Sequence, residues 1–230
     1  MSLLRLLRRL RDTSGVAMTE FALGAPFLLM AGLWGAESAN YALVNMKISQ
    51  LAIQLADNAS RVGDTSTLQN RKIYESDIND VLYGAQLQAA SMDIYGNGRV
   101  IISSLQVDDD TGYQFIKWQR CRGVMEAGSS FGDEGDGLDG SMTGMGPEGN
   151  EVFAQPGDAV IFVELIYSYQ PLISGRFVGN REIRAIGSFT VRDKRDLTQI
   201  YQRDPDSPDQ VQTCDTFRGQ AVLSSTGKMS

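Results

Sequence analysis

The sequence predicts an α+β fold. A long N-terminal helix, first apolar and then amphipathic, precedes a head with a second helix packed on a roughly four-stranded, mostly antiparallel sheet. Three observations carry this reading. Residues Phe21 to Ala36, FALGAPFLLMAGLWGA, are sixteen in a row without a charge. They run on into helix-forming sequence, ALVNMKISQLAIQLADNASRV, with no break. Beyond residue 98, four runs rich in β-branched and aromatic residues are each bounded by turn-forming residues.

The first element, residues 1–15, is a basic leader: Arg5, Arg8, Arg9 and Arg11 face a single acid, Asp12, before Gly15. A secretory signal peptide would end its apolar stretch at a small-residue cleavage site. Here, extended back to Val16 and on to Val44, the weakly polar segment is long enough to cross a bilayer. The arginines before it favour a cytoplasmic N-terminus, which places the rest of the chain outside. A buried core helix in a soluble protein is the bland alternative, and the basic flank argues against it.

Residues 42–62 continue in helical period, with Leu43, Met46, Leu51, Ile53 and Leu55 as apolar positions. A helix over 16–62 is about 70 Å long at 1.5 Å per residue, and Gly63 ends it. The head follows over 63–200. A second helix is expected over about 74–92, with Ser76 or Asp77 as N-cap and a stripe of Ile78, Val81, Leu82, Ala85 and Leu87. Strands are expected at Arg99–Val107, Tyr113–Cys121, Ala159–Tyr169 and Glu182–Arg192. The first two form a hairpin across Asp108–Gly112, and Pro171 stops the third. Residues 128–150 read as a solvated, mobile acidic Gly-rich loop, and 201–230 as a polar, extended, partly ordered tail.

Composition bounds the function. Counting Gly and omitting Tyr, about 49% of the residues are apolar, which is ordinary for a globular protein. A net charge of −7 argues against nucleic acid as a partner. There is no histidine, which removes the commonest general base and metal ligand. Gly96-x-Gly98 lacks the further glycine and following helix of a dinucleotide site. No catalytic residue and no cofactor is assigned, and the chain is read as a non-enzyme. Asp133, Glu134, Asp136 and Asp139 are weak calcium candidates, because their spacing does not follow the EF-hand pattern.

One residue is out of place in a plain anchor. Glu20 lies at the start of the apolar segment, and a carboxylate costs roughly 2–3 kcal/mol near the bilayer centre, less toward the interface. Basic leader, Gly15, four uncharged residues, Glu20 and an apolar helix together resemble the class III signal of type IV pilin-like proteins. The match narrows over SGVAMTEFALGAPFLLMAGLWGAES: Gly15, Glu20-Phe21-Ala22-Leu23, Pro26 and Glu37 are similar to the N-terminus of TadE/TadG-like minor pilins of the tight-adherence (Tad) pilus. The resemblance covers about residues 8–45. The apolar run departs from the family in being poorer in Leu and Val and richer in Ala and Gly. Tyr167-Ser168-Tyr169-Gln170-Pro171-Leu172 also looks like the penultimate strand of TadE-like heads.

The resemblance implies a pilin helix cut between Gly15 and Val16 by a prepilin peptidase. It also implies assembly through Glu20, Phe21, Pro26 and Glu37 with other pilin subunits and a pilus assembly platform. The chain would sit in the inner membrane or the pilus fibre and serve surface adhesion. Small residues such as Gly24, Ala25, Ala31, Gly32, Gly35 and Ala36 suit close helix approach. The alternative is an uncleaved single-span envelope protein whose extracytoplasmic head binds a partner or ligand. With the head outside the cytoplasm, Cys121 and Cys214 are expected to pair rather than remain two thiols.

Overall fold

The computed structural model describes residues 14–64, 70–173, 175, 179, 181–191 and 194–219. The basic leader up to Thr13 and the tail beyond Gly219 lie outside the described residues. The elements in chain order are α1 (Ser14–Arg61), α2 (Glu75–Ala89), a 3-10 turn (Ala90–Met92), β1 (Gly98–Val107), β2 (Gln114–Arg122), β3 (Ala159–Ser168) and β4 (Glu182–Thr190). The described residues divide into two compact units. Those up to Leu43, with those from Gln170 to Gly179, form one; the remainder form the other.

In the second unit the strands lie in the order β2-β1-β3-β4, and all three pairs are antiparallel. The pairing is regular except for a register shift at Ser104/Leu105, where Ser104 opposes Trp118 and Leu105 opposes Ile116. β1 and β3 are buried along nearly their whole length, so both faces of the sheet are covered. That explains why AVIFVELIYS reads as a continuous apolar run rather than an alternating one.

Residues Ile48, Leu51, Ala52, Leu55, Ala56 and Ala59 make a buried stripe along α1 at the i, i+3, i+4 spacing of one helix face. Leu43, Met46 and Ile53, expected among the apolar positions, are exposed instead. The stripe is filled by small residues because the helix comes very close to β4. A Cβ on Gly187 would lie 2.5 Å from the carbonyl oxygen of Ala52. The last carbonyls of α1, at Ala59 and Ser60, accept from the guanidinium of Arg195, which satisfies groups that a helix end leaves open.

The second helix begins at Glu75, not at Ser76 or Asp77. Asp77 acts from inside the first turn, its carboxylate accepting the N–H of Tyr74 at 3.0 Å, the returning half of a capping box. Ile78, Val81, Leu82 and Ala85 are buried as expected, whereas Leu87 is exposed.

The loop expected to be solvated is packed in part. Leu105, Ile116, Met145, Ala154, Val160 and Phe162 form one core cluster, with Phe131, Met142 and Val152 packed against it. Phe131 meets Phe162 edge-on at 5.2 Å. Backbone bonds between Ile116 and both Gly135 and Asp136 tie the loop to β2. Gly137 has φ +99° and leaves no room for a side chain, since its Cβ would stand 2.2 Å from the Gln114 carbonyl oxygen. The acids and glycines of the loop set its turns, and its few large apolar residues cover the sheet.

Candidate functional site

The residues singled out in the sequence fall into two places. Gly15, Val16, Glu20, Phe21 and Pro26 all lie on the exposed first half of α1. Among the described residues one helix, Gly15–Arg61, is long and apolar enough to cross a membrane, and none of its most apolar 18-residue window is buried within the protein. Phe21, Leu23, Phe27, Leu28, Leu29, Met30, Leu33 and Trp34 are all exposed. Among the described residues, a Cβ placed on Gly24, Gly32 or Gly35 would meet nothing within 4 Å, so the clearance they create is unfilled. Pro26 stands inside the helix, where it cannot donate to the carbonyl of Ala22.

Gly15 and Val16 are already in the first turn of α1. Thr19 reinforces that turn, its hydroxyl donating to the Val16 carbonyl at 2.8 Å. Glu20 is exposed one turn further on. Measured along the helix, Glu20 and Glu37 are about 26 Å apart, close to the thickness of a bilayer's hydrocarbon core.

Glu37 differs from the others: it is only 5% exposed. Its Oε2 accepts the backbone N–H groups of Leu172 and Ile173, each at 3.1 Å. Both belong to the same compact unit as the first half of α1. Pro171, which has no N–H, precedes the two donors.

The second place is the head, where Cys121 and Cys214 form a disulfide across a sequence separation of 93. The bond holds the C-terminal segment on β2, and polar contacts reinforce it. The Cys121 N–H donates to the Gln212 carbonyl at 2.7 Å. Arg99, buried in β1, donates to the carbonyls of Cys214, Thr216 and Gly123 and stacks on Phe217 at 4.3 Å. Arg122 donates to the Gly219 carbonyl and to Gln212 Oε1. Burial pushes the pKa of both guanidinium groups down, and at Arg122 the neighbouring Tyr95 works against that shift. Burial also pushes the Tyr95 phenol up, so it remains a donor, to the Leu82 carbonyl at 2.7 Å.

Three of the four calcium candidates have carboxylates engaged by protein donors. Glu134 accepts the Gln119 N–H and pairs with Arg120; Asp136 accepts the Asp133 N–H; Asp139 accepts from Ser141. Among the described residues no three acidic or cysteine side chains are placed to hold one metal ion. Asp133 and Glu134 line a shallow cavity of about 410 Å³ with Gln119, Thr213, Cys214 and Asp215.

Sequence reasoning missed the buried charges. Glu164 faces the covering loop and accepts from the Ser129 hydroxyl and the Ser130 N–H. A lone acid inside AVIFVELIYSY was the available signal, because a buried carboxylate needs donors. Arg99 and Arg122 gave a similar signal at the ends of apolar strands.

No protein-family model matches this chain, and comparison with curated proteins and with solved structures finds no significant match for it.

Proposed function

We propose that this chain is a TadE-like minor pilin, a non-enzymatic assembly subunit of a Tad-type pilus acting in surface adhesion. In this reading a prepilin peptidase cuts between Gly15 and Val16 on the cytoplasmic side of the inner membrane. The apolar half of α1 then enters a bundle of pilin helices on the assembly platform, and the disulfide-bonded head stays outside.

The observation that carries this reading is the uncovered apolar half of α1 with Glu20 exposed at its entrance. Eight large apolar side chains and three unfilled glycine positions on one helix call for an external apolar partner, lipid or helix. The disulfide suits an oxidising compartment. Losing the leader removes four arginines and one aspartate and takes the formal charge from −7 to −10, leaving the mature span with no basic flank before it.

Mass and N-terminal sequence of the chain from native membranes test the proposal. A mature chain beginning at Val16, in cells whose pili disappear when the chain is deleted, is the expected result. An intact leader with normal pili in the deletion strain would replace this reading with that of an uncleaved single-span envelope protein.

A further inference from the structure

We infer that the turn at Pro171-Leu172-Ile173 is a second membrane contact, moored to the spanning helix by Glu37 and inserted into the lipid interface where the span ends. The inference rests on the membrane-spanning part of the functional reading, not on the pilus.

Four observations converge on this turn. Leu172 is 68% exposed and Ile173 42% exposed, although both are large and apolar. Their backbone N–H groups are held by Glu37, so the turn is fixed to α1 rather than free beside it. Glu37 is the first charged residue after the uncharged run 21–36, which places it at the boundary of any bilayer that this run crosses. Finally, Glu37 is itself nearly inaccessible. A carboxylate at the edge of hydrocarbon is stabilised by donors, and the two N–H groups supply them.

The chemistry that fits is a lipid surface. Leu172 and Ile173 are two apolar side chains on a short turn, level with the end of an apolar span in the same compact unit. In water they gain nothing from their exposure. In the interface they are buried about 5–10 Å into the headgroup boundary, as the apolar faces of monotopic segments are. Mooring to Glu37 would fix the depth of the span and limit rotation of α1 about its axis.

The test uses the full chain, unreduced, in phosphatidylcholine–phosphatidylglycerol vesicles. An environment-sensitive fluorophore is attached at Leu29→Cys or Leu172→Cys and quenched by lipids brominated at different depths. The expected result is deep quenching at position 29. At position 172 it is a blue-shifted emission quenched most by shallow bromines. Glu37→Ala should return the emission at 172 toward its value in water while position 29 stays quenched.

Solvent-like emission at 172 with position 29 quenched would overturn the inference and leave the span intact. A blue shift at 172 without lipid quenching would mean that protein covers the turn, a second copy for instance, and would also overturn it. Quenching at 172 that is unchanged by Glu37→Ala would remove the mooring role. No quenching at either position would show that the helix does not insert, and the inference would fall with the membrane reading.

Discussion

Arg120 on β2 meets the carboxylate of Glu75, the first residue of α2, at 2.6 Å, with both side chains largely withdrawn from solvent. The contact joins residues 45 apart in sequence and pins the start of α2 to the sheet. Removing one partner strands the other charge in a poorly solvated place. Glu75→Ala should therefore destabilise the head by about 3 kcal/mol, the low end for breaking a buried pair, because Glu134 still stands 3.3 Å from Arg120. Urea melts of the solubilised protein measure this. A loss no larger than that of an exposed pair such as Arg184–Glu182 would show that the contact holds nothing.

The disulfide and Arg99 act on the same stretch of tail. Opening the bond by Cys214→Ser should cost at most about 4–5 kcal/mol, the chain-entropy value for a loop of this size. It should also expose the chain after Arg203 and Arg218 to trypsin. The carbonyl contacts from Arg99 to residues 214 and 216 survive the substitution, so some protection should remain and disappear in Arg99→Ala, Cys214→Ser. Unchanged melting and proteolysis in the single variant would mean that the backbone bridge at Gly123–Arg218 and the arginines hold the tail without the disulfide.

How much of this was legible beforehand differs from element to element. The four strands and α1 appear within about two residues of where periodicity and turn chemistry put them. These are elements whose pattern is local. The buried side of α1 was not legible, because Ala52, Ala56 and Ala59 are selected by the closeness of Gly187 on β4, which hydrophobicity along the helix does not encode. The packing of the covering loop is hidden for a similar reason. Its composition is that of a solvated segment, yet Phe131, Met142 and Met145 dock on the sheet. In the candidate site, Glu20 and Glu37 looked alike as acids flanking an apolar run. Only the long-range contact from Glu37 to the turn after Pro171 separates them.

Asp196 gives the head an acid-side dependence with a definite sign. The hydroxyls of Thr198, at 2.6 Å, and of Tyr201 donate to its carboxylate and hold it below the usual carboxylate range. A depressed folded-state pKa stabilises the fold above the unfolded value of about 3.9 and ceases to do so as pH falls through the folded value. Asp196→Asn should therefore be less stable than the natural chain at pH 7 and equal to it in strong acid. The group is half-buried, so added salt should narrow the gap only in part. A gap that persists at pH 2 would assign the effect to lost hydrogen bonds in both charge states.

Glu20 is the residue on which the proposed function turns. Its carboxylate is exposed on α1 one helical turn from Val16, and positions i and i+4 share a face. Cleavage after Gly15 would create an amine at Val16, within reach of that carboxylate in the same subunit or from a neighbour. Such a pair gains more among packed apolar helices than in water, and a lone carboxylate there is penalised, which selects the register that supplies the amine. Glu20→Gln keeps the shape and removes the charge. It should be processed and membrane-inserted as the natural chain is, yet yield no pili. Gly15→Leu separates the two steps, because among the described residues nothing lies within 4 Å of a Cβ at that position. It should block processing alone, leaving the leader on a normally inserted chain. Counting pili by electron microscopy in cells that carry only Glu20→Gln decides the matter, and normal numbers would reduce the carboxylate to one solvated at the headgroup boundary.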